Sequence, residues 1–463
     1  MFIGREKELN ILNKLYQSDR FEFAVVYGRR RVGKTALLNQ FTKNKEAIFF
    51  AAVESSARQN LENFSTAILE YSADIPAGTS FSDFQTALQY SFDLAKKKRI
   101  VLIIDEYPYA AKANASIPST LQLLIDKNKD TSKLMLILCG SSMSYMEDEV
   151  LAYKSPLYGR KTAQLKVLPF EFSDCCRFWK DAAPEAMALY YGLTGGIPQY
   201  MLQINEKESI EENIRSTFLN PSSALFEEPK NLLKQELREP STYNAVISAI
   251  AGGSSRISEI ATKTGLPTGA CSTYIKSLIE LGIIQKETPY GEKPSKKTTY
   301  SVSDNLYRFW YRFIPSNISL ISRGADDIAW KRIKPQLSDY MGKIFEEICQ
   351  QYLWQRLLSD DCPVQFTSLG RWWGNDPVLK EQAEIDIIGE QDKDTVLFGE
   401  CKWQNEKTDI DVLNTLIHRS QLFHYTSATL YLFSKSGFTE RCIKAAAKKG
   451  TVHLICYDNM VKR

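Results

Sequence analysis

With 463 residues, 44% hydrophobic content and a formal net charge of +3, the chain has material for roughly two to four globular domains. No global charge bias draws it toward nucleic acid or acidic partners, so any basic face must be local. Nine cysteines without a CxxC pair, two of them adjacent at Cys175 and Cys176, exclude a zinc knuckle or disulfide framework and fit a reducing cytoplasm. No apolar run reaches membrane-spanning length, and Met1–Glu6 bring charge before any apolar stretch, so the reading is a cytoplasmic chain with no membrane contact.

The first block, residues 1–165, alternates apolar strands with helical stretches. Phe23–Tyr27, Ala47–Ala52, Ile100–Ile104 and Leu134–Gly140 read as strands, with helices such as Thr35–Thr42 and Asn60–Tyr71 between them. That rhythm predicts crossover units and a parallel sheet covered on both faces, an α/β fold.

Gly28-Arg29-Arg30-Arg31-Val32-Gly33-Lys34-Thr35 meets every fixed position of G-x-x-x-x-G-K-[ST], between a strand and an amphipathic helix that runs through Ala36. Gly28 and Gly33 let backbone N–H groups turn toward phosphate oxygens, and the helix adds its positive end at Thr35 and Ala36. Lys34 supplies a compact charge for the β- and γ-phosphates, and the Thr35 hydroxyl is a magnesium ligand. Arg29 to Arg31 face either solvent or the sheet edge. The run Val101-Leu102-Ile103-Ile104-Asp105-Glu106 is a buried strand whose two carboxylates emerge where open parallel sheets bind ligands. Asp105 is the candidate magnesium ligand and Glu106 the candidate general base. After Leu134–Cys139, Ser141 either senses the γ-phosphate or caps the next helix. Arg160 is either an arginine finger reaching a neighbouring subunit, which implies a homo-oligomer, or a surface ion pair. The expected ligands are ATP and Mg²⁺.

A mostly helical block follows over 166–240, broken at Thr194–Pro198 and Pro229. At this point a resemblance emerges. Phe2-Ile3-Gly4-Arg5-Glu6 looks like the adenine-side box that precedes the P-loop in AAA+/STAND-type ATPases, and Gly195-Gly196-Ile197-Pro198 resembles the Gly-x-Pro element of their helical lid. The whole is similar to the prokaryotic "archaeal ATPase" family. The resemblance implies an AAA+-type core with a helical lid, ATP rather than GTP, and nucleotide contacts at Gly4, Arg5 and Pro198. No sensor arginine stands beside Gly195–Tyr200, which implies slow or partner-dependent hydrolysis.

Residues 241–314 read as a winged helix. Ser258–Pro267 closes one short helix in a turn, Thr268–Ile279 forms the next, and Ile283–Val302 is a hairpin with a basic tip over Gly291–Lys297. The second helix offers Thr268, Ser272, Thr273 and Lys276 to a DNA groove, with the wing on phosphate. The alternative is a protein-docking or spacer module.

The last block, 315–463, opens with a helix near Asp339–Leu358 and continues into strands. In Glu384-Ile385-Asp386-Ile387, alternation sets Glu384 and Asp386 on one face; in Glu400-Cys401-Lys402, Glu400 and Lys402 share a face. Paired antiparallel, these strands gather Asp386, Glu400 and Lys402. Two carboxylates bind Mg²⁺ or Mn²⁺, and a nearby lysine activates water or steadies the leaving phosphate. The stretch resembles the D…E-x-K pattern of restriction-endonuclease-like folds and of archaeal Holliday-junction resolvases, which implies a further carboxylate from the first helix, Glu346 or Glu347. The alternatives are two ordinary strands with solvent-facing charges, or an inactive fold retained for DNA binding. Trp372 and Trp373 read as core or rim packing. Two functions follow: an ATP-driven switch acting on DNA with a nuclease-like tail, or a STAND-like signalling ATPase whose winged helix and tail dock proteins.

Overall fold

The computed structural model describes residues 2–72 and 79–461, so Met1 lies outside them. The chain divides into two compact units, residues 1–170 with 197–199, and residues 171–196 with 200–463.

The first unit is built on a five-stranded parallel sheet in the order β2-β3-β4-β1-β5, with β1 at Glu22–Tyr27, β2 at Ala47–Ala51, β3 at Ile100–Asp105, β4 at Leu134–Gly140 and β5 at Ala163–Lys166. All positions of β1, β3 and β4 are buried, which is why their sequences are continuous apolar runs rather than alternating ones. Side chains of one parity, Phe23, Val25 and Tyr27, join a core on one face with Phe50, Phe64 and Phe92. The other parity, Ala24 and Val26, packs with Leu37, Leu38 and Phe41 on the opposite face. Each such aliphatic or aromatic burial stabilises by roughly 1.5–3 kcal/mol. The order inserts β4 between the P-loop strand β1 and the acidic strand β3. The carboxyl ends of these strands therefore bring Gly28, Asp105 and Ser141 to one edge.

In the second unit, helices at Pro240–Ala251, Ile257–Thr264 and Thr268–Glu280 precede an antiparallel hairpin of β6 (Ile284–Glu287) and β7 (Thr299–Val302), a winged helix-turn-helix. Ile260, Ala261, Ile275 and Leu278 are buried between its helices. The C-terminal sheet runs β12-β11-β10-β9-β8, with β8 at Gly370–Asp376, β9 at Glu381–Glu390, β10 at Thr395–Lys402, β11 at Ser427–Ser434 and β12 at Val452–Cys456. β8–β9 and β9–β10 pair antiparallel, while β10–β11 and β11–β12 pair parallel. The helix Leu337–Leu358 packs on β10, and its buried residues include Ile344, Phe345 and Ile348. Among the described residues, no helix is long and apolar enough to cross a membrane.

Candidate nucleotide site and candidate C-terminal carboxylate site

The P-loop joins β1 to the helix Lys34–Thr42. Gly28 is there for close approach: a Cβ at this position would lie 2.3 Å from the Val167 carbonyl oxygen. Gly33, at φ +89, takes a left-handed turn that a side chain resists, and Pro198 is the nearest atom to its would-be Cβ at 3.7 Å. Lys34 is buried, and its Nζ donates to the carbonyls of Gly28 at 2.9 Å and Arg29 at 3.0 Å. Burial lowers the Lys34 pKa, against the pull of Cys139, Glu106 and Asp105. Thr35 Oγ1 donates to Asp105 Oδ2 at 2.8 Å, so the hydroxyl and carboxylate expected to share a magnesium ion already touch. Ala36 is exposed in the first helical turn.

Glu106 leaves β3 with φ +49, a left-handed conformation that costs a non-glycine residue about 1–2 kcal/mol. Its side chain does not cap the helix Tyr107–Ala113 that it precedes. Instead Glu106 Oε2 accepts from Ser141 Oγ at 2.8 Å and from the Ser141 N–H at 3.3 Å. The Ser141 hydroxyl thus belongs to the acidic pair rather than to a helix cap.

Gly4 has φ +70, and the following Arg5 is 5% exposed. The Arg5 guanidinium donates to the carbonyls of Val32 at 2.9 Å and Leu168 at 2.7 Å and lies 4.4 Å from the Phe170 ring centroid. It therefore braces the P-loop from behind. Arg160 makes a bidentate pair with Asp126, Nε to Oδ1 at 2.9 Å and an η-nitrogen to Oδ2 at 2.6 Å. Within the loop, Arg30 donates to the Tyr109 hydroxyl at 3.0 Å.

In the C-terminal sheet, the register of β9 on β10 pairs Ile387 with Gly399; one further step sets Asp386 opposite Glu400. The Cys401 N–H donates to Asp386 Oδ2 at 2.9 Å, and Lys402 Nζ donates to Glu400 Oε1 at 2.7 Å. Burial and then Glu400 push the Asp386 carboxyl up to about 6. Burial depresses the Lys402 ammonium, but Glu400 more than offsets this and its pKa is raised. The buried Glu400 Oε2 has no hydrogen-bond partner; the Arg419 guanidinium stands 3.8 Å away.

Three neighbours complete this site, and the sequence named only one of them, among alternatives. Glu346, on the helix Leu337–Leu358, pairs with Lys343 at 2.9 Å and Arg371 at 3.2 Å; burial raises its pKa, and Asp386 adds to the effect. Glu347 instead pairs with Arg308 at 2.7 Å. Arg371 sits at a register shift in β8 between Gly370 and Trp372, and also meets Glu384 at 3.3 Å and Glu287 at 3.9 Å. Bulges re-aim side chains in this way, which no linear spacing announces. Arg419 donates to the Glu384 carbonyl at 2.7 Å. Among the described residues, no three or more His, Cys, Asp or Glu are gathered closely enough to hold a metal ion.

On the winged helix, Thr268, Ser272, Thr273 and Lys276 are all exposed on the second helix, and Lys276 lies 3.7 Å from Glu280.

Comparison with known proteins follows this geometry. Residues 2–204 match the family described as an ATPase domain predominantly from Archaea. Residues 251–285 match a winged helix-turn-helix DNA-binding family, and residues 310–413 match archaeal and bacterial proteins of unknown function. An uncharacterized protein of Methanocaldococcus jannaschii is 36% identical over 414 residues, 89% of this chain and 89% of its own. An uncharacterized ATP-binding protein of the same organism is 41% identical over 46 residues, 10% of this chain and 78% of its own. Among solved structures, a Walker-type ATPase of Pyrococcus abyssi aligns with a TM-score of 0.51 at 18% identity, over 67% of this chain and 96% of that one, a likeness of fold. With its P-loop, its inserted strand and a relative matched along nearly its full length, the chain belongs to the archaeal ATPase family of P-loop proteins.

Proposed function

We propose that the chain is an ATP-hydrolysing switch that acts on DNA, with a metal-dependent nuclease site in its C-terminal domain. The observation that carries the ATPase part is the Thr35–Asp105 contact with Glu106 beside it. Lys34 turns from its loop carbonyls to the phosphates, and the loop N–H groups bind their oxygens. Thr35 and Asp105 would hold magnesium, which neutralises phosphate charge when bound. Glu106, aimed by Ser141, takes the proton of the attacking water. Gly4 and Pro198 would flank the nucleotide, Pro198 lying beside Gly33, while Arg5 holds the loop from behind. Arg160 serves in trans only if its pair with Asp126 opens in a homo-oligomer.

The DNA part rests on the winged helix, and the nuclease part on the carboxylate site of a restriction-endonuclease-like domain. Asp386 and Glu400 would hold Mg²⁺ or Mn²⁺: one buried oxygen of Glu400 lacks a partner, and burial, with Glu400 beside it, raises the Asp386 pKa, a cost that a bound cation would relieve. Lys402 would steady the leaving oxygen. On this reading the chain comprises a core at 1–165, a lid at 166–240, a winged helix at 241–314 and the nuclease-like domain at 315–463. The test is incubation of the full chain with branched, single-stranded and duplex DNA, with Mg²⁺ or Mn²⁺, with and without ATP. Cleavage lost in Asp386→Ala supports the nuclease reading. Binding without cleavage leaves a DNA-binding domain, and no DNA interaction favours the signalling alternative.

A further inference from the structure

The C-terminal sheet has two edges, β8 and β12, and the chain treats them differently. The β8 edge is blunted: its register breaks between Gly370 and Trp372, and the Arg371 carbonyl accepts from the Tyr290 N–H at 2.8 Å. A bulge and a covering segment are two of the devices that keep an edge strand from pairing with another chain. The β12 edge has neither. It reads Val452-His453-Leu454-Ile455-Cys456, with no proline, lysine or acidic residue, and every position is half-buried. Its parallel register on β11 is unbroken from Leu430 opposite Val452 to Ser434 opposite Cys456.

The ladder tells which backbone groups of β12 are free. The Leu430 N–H donates to the Thr451 carbonyl at 2.9 Å, so β11 is bonded by the residues that flank Val452 and, two positions on, by those that flank Leu454. The N–H and C=O groups of Val452 and Leu454 therefore point away from β11. No strand lies on that side, and among the described residues none of these groups has a further backbone partner. The flanks of the strand carry opposite charge. Lys448 and Lys449 precede it, Asp458 follows it, and all three are exposed. Among the described residues none of the three is in an ion pair.

We propose that β12 is a dimerisation edge: two copies of this chain pair their β12 strands antiparallel and join their C-terminal sheets into one. A two-fold axis lets one edge satisfy an identical edge, so the outward N–H and C=O groups of Val452 and Leu454 find partners in the other copy. The same axis brings the Lys448–Lys449 end of each copy to the Asp458 end of the other, so free cations meet a free carboxylate twice. A parallel pairing would set like charge against like. This self-complementarity is what favours a second copy over an extended segment of another protein. The edge is short, well below the area of a standard stable interface, so the dimer is weak, with a dissociation constant of about micromolar order. It is separate from any arrangement in trans at Arg160, which lies in the other unit.

The test is sedimentation velocity of the full chain without nucleotide, over a series from about 1 to 200 µM, the range of a weak interface. The weight-average mass should climb from one chain toward two. In hydrogen exchange over the same series, the Val452 and Leu454 amides should slow as concentration rises. Val452→Pro removes an outward N–H at the first position of the strand and none of the bonds to β11, so it should weaken association about ten- to a hundredfold. Lys448→Glu with Lys449→Glu turns attraction at both ends into repulsion and should weaken it several-fold, and adding Asp458→Lys should restore it. Restoration by a third surface substitution cannot come from misfolding. A mass of one chain at every concentration overturns the proposal. So does association that survives both Val452→Pro and the charge reversal, which places the contact elsewhere, and so does a triple charge variant no tighter than the double.

Discussion

Asp386→Asn isolates the electrostatics of the C-terminal site. Asp386 is buried opposite Glu400, and its carboxyl is pushed from the ordinary 3.8 up to about 6. A carboxyl raised in the fold favours the protonated state, so this group leaves stability intact below about pH 4 and withdraws it as pH rises through 6. At about 1.36 kcal/mol per pH unit, the withdrawal approaches ~3 kcal/mol at pH 7. Asparagine keeps an oxygen to accept the Cys401 N–H and carries no charge. In chelator, the variant should therefore match wild type near pH 4 and exceed it by up to ~3 kcal/mol at pH 7. The assay is calorimetric or denaturant unfolding of both proteins across this range. Mn²⁺ at a hundredfold excess over its dissociation constant should return about 2.7 kcal/mol to the wild type and nothing to the variant. A wild type whose stability relative to Asp386→Asn is flat from pH 4 to pH 7 would refute the claim that Asp386 and Glu400 share one buried site.

Other perturbations address the nucleotide site. Ser141→Ala removes a hydrogen bond to a carboxylate worth roughly 1.5–3 kcal/mol, so kcat should fall about 10- to 100-fold while KM for ATP changes little; unchanged steady-state turnover would free Glu106 from Ser141. Gly28→Ala drives a methyl group into the Val167 carbonyl, which overpacks the loop by roughly 1–3 kcal/mol, and both the unfolding midpoint and nucleotide affinity should drop. Arg160→Ala separates two roles: a finger in trans lowers kcat, spares ATP affinity and makes specific activity rise with protein concentration, whereas the pair with Asp126 seen in the fold costs only a modest amount of stability.

Much of the first unit was legible because its central strands are buried on both faces. Such strands must be apolar runs, and the P-loop and the acidic pair sit at their ends by spacing alone. Strand β5 was not legible: only Leu165 of Ala163–Lys166 is buried, so this edge strand has no apolar signature. Strand β8 was hidden for a related reason, since most of Gly370–Asp376 is half-buried and its register breaks beside Arg371. Alternation did place Asp386, Glu400 and Lys402 together, because period two fixes a face once two strands pair. The choice between Glu346 and Glu347 could not be made from the chain, since adjacent helical residues point apart and only the tertiary partner Arg308 claims one of them. Arg371 and Arg419 were invisible for the same reason: their significance lies in neighbours that are distant in sequence. The pairing of Arg160 with Asp126 is likewise a contact across 34 residues that no motif records.

The central claim is that Lys34, Thr35, Asp105 and Glu106 form a working ATP-hydrolysis site. Parallel nucleotide-binding and phosphate-release measurements on wild type, Lys34→Ala and Glu106→Gln test it most directly. Glu106→Gln should bind ATP within a few-fold of wild type and hydrolyse it roughly 10²- to 10⁴-fold more slowly, while Lys34→Ala should lose both binding and turnover. Wild-type ATP affinity in Lys34→Ala, or wild-type turnover in Glu106→Gln, would contradict it.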